Sequence, residues 1–228
     1  MKKTNNKGFT LIELLAVITI MGILMLVAIP AVSRTIENSR RDTFANIAHE
    51  YINAVRNSML ADNIECHTAS AKTDYKVASA IPNGWYYFPI CTSEDFTGSD
   101  GKALCTSDVI QATKDLMESG GNSPFGNSGL IGFVLFQKKV TNETSANSDG
   151  DDYKLKSTTE YTVYLADEGG HGFSKPLIEN NVKRSKVSLQ GAKAKLKPEA
   201  SDITEPTVIT AADGTTTTVA EAYECTMN

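Results

Sequence analysis

Residues 8–30, Gly8-Phe9-Thr10-Leu11-Ile12-Glu13 followed by LLAVITIMGILMLVAIP, decide how the whole chain is read. From Leu14 to Val32, nineteen residues run without a charge. A helix rising ~1.5 Å per residue needs ~20 apolar residues to cross the hydrocarbon core of a bilayer. The stretch is long enough to span, and no other in the chain approaches it. Two features distinguish it from a plain anchor. Gly8 separates the basic leader MKKTNNK from Phe9, and a single carboxylate, Glu13, stands at the leading edge of the apolar run. A charge beside hydrocarbon is costly and is kept where it has a partner, so Glu13 asks for a cation. Lys7 and the leader amine are the nearest in sequence. A secretory signal peptide would place a small-residue cleavage site after the run, where Ala28-Ile29-Pro30-Ala31 puts a proline instead.

The hexapeptide Gly8–Glu13 resembles the processing site of type IV prepilins and of the pseudopilins of type II secretion and DNA-uptake machines. The resemblance covers roughly residues 1–60. It implies that a membrane aspartic peptidase, the prepilin peptidase, cuts after Gly8 and methylates the new amine of Phe9. It implies that Glu13 pairs with the Phe9 amine of a neighbouring subunit during assembly. It also implies that Pro30 kinks or locally melts the helix. Gly22 weakens the same stretch, since glycine costs ~1 kcal/mol against alanine within a helix.

The partners implied are further copies of the chain in a filament, other pilins, the prepilin peptidase, an assembly platform protein, and membrane lipid along residues 9–32. DNA binding is possible for such a fibre but not indicated by this sequence. The function implied is a structural subunit of a type IV pilus, serving adhesion, motility or DNA capture. A pseudopilin of a type II secretion or competence machine shares the same chemistry. From a different class, a membrane-tethered binding module or enzyme would borrow only the leader. The expected organisation is a leader at 1–8, a transmembrane and assembly helix at 9–32, its amphipathic continuation at 33–62, and an extracellular globular domain at 63–228.

Beyond Pro30 no glycine or proline interrupts the chain for thirty residues. Phe44, Ile47, Ala48, Tyr51, Val55 and Met59 recur at three- and four-residue steps, which stacks them on one helical face. Arg41, Asn46, Glu50, Asn53 and Asn57 occupy the opposite one. Such a helix lies in lipid over its first half and against a core over its second.

The spacing predicts strands over Leu130–Val140 and Glu160–Leu165, the second extended by Lys154–Lys156, with a third over Val182–Leu189 and a last one near DGTTTTV before Cys225. A short helix is expected at Ser107–Ser119, capped by Ser107. Trp85-Tyr86-Tyr87-Phe88 reads as a strand edge or as a plug over the long helix; the resemblance implies that Ile64–Gly129, where it lies, is the family's variable connection between helix and sheet. The fold class is therefore α+β, pilin-like: one long N-terminal helix on a small antiparallel sheet.

Without residues 1–8 the chain holds 19 basic against 27 acidic residues. That balance disfavours nucleic acid as a default partner, since affinity for phosphates comes from positive charge. Lys2, Lys3 and Lys7 before the span nearly balance Arg34, Arg40 and Arg41 after it, so charge alone leaves orientation open. The four cysteines, Cys66, Cys91, Cys105 and Cys225, all follow the span and none forms a CxxC. An even, widely spaced set reads as two disulfides in an oxidising compartment. Four cysteines allow three pairings, and the sequence leaves them open; the favoured one closes a local loop with Cys91–Cys105 and ties the chain end to the foot of the helix with Cys66–Cys225.

No metal or cofactor is expected. Asn147–Asp152 is acidic but lacks calcium-loop spacing, and His49-Glu50 has no second histidine four residues after the first. His67 and His171 stand without companions. The basic stretch Lys183, Arg184, Lys186, Lys193, Lys195, Lys197 reads as a solvated edge strand. With no nucleophile, base and orienting group together, the sequence predicts no enzyme.

Overall fold

The computed structural model describes residues 10–67, 74–75, 84–98, 100–117, 121–126, 129–144, 153–203, 207–210, 216–219 and 221–227. The leader, Gly8, Phe9 and the acidic segment Asn147–Asp152 lie outside them. The chain forms an α+β, pilin-like arrangement: one long N-terminal helix and a mixed, largely antiparallel sheet. It divides into two compact units, Met1–Arg40 and Arg41–Asn228.

Helix α1 (Leu11–Leu60) contributes to both units. In the first, its large apolar side chains from Leu11 to Ile36 are exposed. In the second, Phe44, Ala45, Ala48, Tyr51, Ile52, Val55 and Met59 are buried. This is the stripe that the three- and four-residue steps predict, with Ala45 and Ile52 added and Ile47 at its margin.

The sheet facing this stripe is built from β1 (Ile64–His67), β2 (Asp74–Tyr75), β3 (Gly84–Cys91), β4 (Leu130–Thr144), β5 (Tyr153–Asp167), β6 (Gly172–Phe173), β7 (Leu177–Ile178), β8 (Val187–Ser188) and β11 (Ala222–Met227). Its order is β2-β1-β11-β3-β4-β5-β6-β8, with β7 also pairing β5. All neighbours are antiparallel except β11 and β3, which run parallel. A separate ribbon joins β9 (Thr207–Thr210) to β10 (Thr216–Val219).

Several expectations change here. The aromatic run Trp85–Phe88 is neither edge nor plug. It belongs to β3, a strand buried along its whole length between β11 and β4. A strand covered on both faces has no polar alternation to reveal it. The segment Val182–Leu189 yields only the two residues of β8, preceded by a 3-10 turn at Arg184–Lys186. The basic stretch is thus mostly loop at the sheet's end. Of the DGTTTTV segment, Thr216–Val219 form β10 of the separate ribbon and the rest lies outside the described residues, while Cys225 lies in β11 within the main sheet. Helix α2 (Ser107–Leu116) is capped by Thr106, whose hydroxyl accepts from the Val109 N–H at 3.4 Å, not by Ser107.

A row of rings crosses the sheet at matched register. Tyr223 on β11 pairs with Tyr86 on β3, Tyr86 with Phe136 on β4, and Phe136 with Tyr161 on β5. Their centroids are 5.9, 5.7 and 5.9 Å apart. Cross-strand aromatic pairs of this kind add about 0.5–1.5 kcal/mol each beyond the area they bury. Arg56 of α1 ends the row, its guanidinium 4.7 Å from the Tyr161 centroid and 2.5 Å from the Glu179 carboxylate.

Three ties at seven-residue spacing then lash the segment 179–184 along one side of the helix. Besides Arg56–Glu179, His49 Nε2 donates to the Val182 carbonyl at 3.1 Å and Arg184 meets Asp42 at 3.1 Å. Seven residues are close to two helical turns, so all three anchors share one face. On β3, burial and the Glu224 carboxylate, which accepts the Tyr87 hydroxyl at 2.8 Å, hold the Tyr87 phenol well above the usual tyrosine range.

Disulfides join Cys66 to Cys225 and Cys91 to Cys105. The first links directly paired residues of β1 and β11 across a separation of 159 residues. A loop that long restricts the unfolded chain by ~5 kcal/mol on the chain-entropy model. At the β4–β5 crossing, Gly132 opposes Leu165, and a methyl at Gly132 would be driven into the Tyr164 main chain. The Tyr51 hydroxyl, by contrast, is buried with no partner among the described residues.

Two substitutions in this core should therefore move stability in opposite directions. Gly132→Ala is expected to cost about 3 kcal/mol, the upper range for overpacking. Tyr51→Phe should be neutral or stabilising by about 1 kcal/mol, because it removes an unsatisfied buried hydroxyl. Denaturant unfolding with both disulfides intact measures both, and equal destabilisation by the two would contradict this packing.

Candidate processing and assembly helix

The start of α1 is set by Thr10 and Glu13. Thr10 precedes the first helical residue, and the Leu14 N–H donates to its carbonyl at 3.2 Å. The Glu13 carboxylate oxygen Oε2 accepts both the Thr10 N–H and the Thr10 hydroxyl, each at 2.8 Å. In return the Thr10 hydroxyl oxygen accepts from the Glu13 N–H at 3.4 Å. This is a reciprocal capping box, Thr-x-x-Glu, which satisfies donors that a helix start leaves open. A carboxylate in the first turn also meets the positive end of the helix dipole.

Glu13 thus has neutral partners within its own chain, where its charge alone points to a cation. Thr10 is the residue that the charge pattern does not reveal. Its signal was present in the threonine three residues ahead of the glutamate.

Along the apolar run, the helix continues through Pro30. Proline removes the donor that would reach the carbonyl four residues back, at Leu26. The hydroxyls in this region are satisfied locally. Thr19 donates to the Ala16 carbonyl at 2.9 Å, Ser33 to Ile29 at 3.0 Å and Thr35 to Ala31 at 3.0 Å. Such closure lets polar side chains enter hydrocarbon without external partners. Gly22 has open space where a side chain would project. By length and composition this is a helix able to cross a membrane.

Elsewhere the fold gathers one set of polar groups that are far apart in sequence. The Asp167 side chain is fully buried and accepts the Ser123 hydroxyl at 2.5 Å, the His171 N–H at 2.8 Å and the His171 ring Nδ1 at 2.8 Å. Phe125 stacks on the His171 ring at 4.4 Å and also approaches Phe44 of α1 at 6.0 Å. The serine hydroxyl bonds the carboxylate and not the imidazole, so the trio pins the 121–126 segment to the core. Among the described residues no group of three or more histidine, cysteine, aspartate or glutamate side chains is arranged for a metal ion.

Residues 3–29 match the family described as prokaryotic N-terminal methylation motif. The chain carries a type IV prepilin-type signature. The matched segment takes in Gly8, Phe9, Thr10, Glu13 and Gly22 and stops one residue before Pro30. No curated protein and no solved structure matches the chain. The prepilin-type motif, the membrane-capable helix and the two disulfides fit together as features of a pilin-like chain.

If the capping box sets the helix start, Thr10→Val should loosen it by ~1 kcal/mol, the usual cost of losing an N-cap side chain. Amide hydrogen exchange at Glu13 and Leu14, whose N–H groups donate to Thr10, measured on the full chain in detergent micelles, should then accelerate roughly fivefold, while Thr10→Ser leaves it unchanged. Equal exchange in Thr10→Val and wild type would contradict the capping role.

Proposed function

We propose that this chain is a structural filament subunit, a type IV pilin, trimmed after Gly8, methylated at Phe9 and polymerised through α1. The observation that carries the proposal is the prepilin-type signature laid on a helix that is apolar and uncovered from Leu11 to Ile36. In hydrocarbon such a surface is at rest. Packed against like helices, it is covered again without being hydrated, so transfer from membrane to fibre core trades one apolar environment for another.

Glu13 is what makes that transfer selective. In the single chain its carboxylate lies at the exposed helix start, bonded to Thr10. Once subunits bundle, the carboxylate enters a water-poor interior, where neutral hydrogen bonds are insufficient for a full charge. Cleavage after Gly8 creates a cation, the Phe9 amine, near that level on an adjacent subunit. Pairing the two fixes the axial register between neighbours. The globular unit, with its acidic composition and disulfides, then forms the outer surface of the fibre.

Electron microscopy of material sheared from cells tests this. Wild type should give pelletable fibres labelled by antibody against residues 84–227. Glu13→Gln retains a capping box, since glutamine serves at that position, but removes the charge. It should insert in the membrane normally and lower fibre yield by more than about tenfold, as expected for leaving one member of a buried pair unpartnered. Fibre yield equal to wild type would remove Glu13 from assembly. A wild-type chain that stays monomeric would favour a tethered binding module, and short fibres that remain at the envelope would favour a pseudopilus.

A further inference from the structure

The two halves of the sheet carry unpaired charge of opposite sign. On one half, β11 and β3 run together only from Ala222–Trp85 to Glu224–Tyr87 and then part. Proline explains the parting. The Cys91 N–H is taken by the Thr113 hydroxyl of α2 at 3.0 Å, and two residues earlier, on the same side of the strand, Pro89 has no N–H to offer. The strands open into a groove of about 510 Å³, walled by α2. Pro89, Val109 and Met227 give it an apolar floor, while Asp108, Asp115 and Glu224 stand on its rim.

Asp108 and Asp115 are seven residues apart on α2 and so share a face. The partners of Asp115 and Glu224 are neutral: Asp115 accepts the Gln111 amide at 2.8 Å and Glu224 the Tyr87 hydroxyl. Neither bond cancels the charge, and among the described residues no lysine or arginine lines the groove.

On the other half, beyond β4 and β5, residues 175–197 hold seven basic residues and one acidic one in a chain of net charge −5. Two of the seven are already committed. Arg184 pairs with Asp42, and Lys195 bonds Asp202 at 2.6 Å and Glu199 at 3.4 Å. Burial alone would lower the Lys195 ammonium pKa, but the Asp202 hydrogen bond and both carboxylates raise it, so this lysine stays charged in place. Lys183, Lys186, Lys193 and Lys197 are exposed and have no ion-pair partner among the described residues.

We infer that the acidic groove between α2, β3 and β11 receives the lysine-bearing loop 183–197 of a second copy of this chain. A lysine suits the groove in both parts, since its methylene stem covers apolar floor while its ammonium reaches the rim carboxylates. The acidic and basic surfaces lie on different halves of one sheet, separated by β4 and β5. The contact is therefore heterologous and leaves a free groove and a free loop after each addition, which is the geometry of a chain that continues to grow. This inference rests on the filament reading for what brings copies together, and it adds which outer surfaces meet.

Zero-length carbodiimide coupling of the full-length protein, in membranes and in sheared material, tests it. A dimer linked from Lys193 or Lys197 to Asp108 or Asp115 is expected, with yield falling as salt is raised. Asp108→Lys with Asp115→Lys, or Lys193→Glu with Lys197→Glu, should each cut that dimer at least about tenfold through like-charge contact. Co-expressing the two double variants should restore a dimer coupled through the exchanged residues. Pelletable fibres lacking these crosslinks, crosslinks to a different protein at Asp108 or Asp115, or double variants that couple like wild type would each overturn the pairing and leave the fibre standing. The crosslinked dimer without pelletable fibres would instead keep the pairing and defeat the filament reading.

Discussion

Everything in this structure follows from the need to cover one helix in two different ways. Over Leu11–Ile36 the apolar side chains of α1 point outward on all sides, and nothing among the described residues buries them. Over Phe44–Met59 they occupy a single stripe, and the sheet buries it. The first pattern calls for lipid or for other copies of the same surface; the second calls for a domain. A chain with only the first would be an anchor, and one with only the second would be an ordinary soluble α+β fold. Both patterns occur along the one helix α1.

The domain itself is closed late and from a distance. β11, the last strand along the chain, lies between β1 and β3, so neither β1 nor β2 is connected to the rest of the sheet until it arrives. The row Tyr223–Tyr86–Phe136–Tyr161 runs through that insertion and ends on Arg56 of α1. The Cys66–Cys225 bond then fixes β11 against β1. Rings, guanidinium and disulfide together couple the C-terminal strand to the helix.

Periodicity made some of this legible. The helical stripe, β4 and the core of β5 each carry a local pattern of apolar residues strong enough to name them from sequence. β3 was misread because its burial is continuous, it contains Pro89, and its partners β11 and β4 are distant in sequence. The 183–197 stretch looked like an edge strand because lysines often guard one, yet only Val187–Ser188 pairs. The cap of α2 moved by one residue because threonine and serine stand side by side there. At the candidate site, Glu13 was conspicuous as a charge, but the threonine three residues earlier was read for its place in the motif and not for its hydroxyl. The cluster of Ser123, Asp167 and His171 had no sequence signal at all, since only the fold brings a loop and a turn 44 residues apart into contact.

The central claim is that α1 becomes an assembly element by processing at its start, and intact-mass spectrometry of the chain recovered from sheared fibres tests it most directly. The account predicts a single species lacking residues 1–8, carrying one added methyl on the amine of Phe9, and retaining both disulfides. A fibre made of chains that keep the leader, or that begin anywhere other than Phe9, would contradict it.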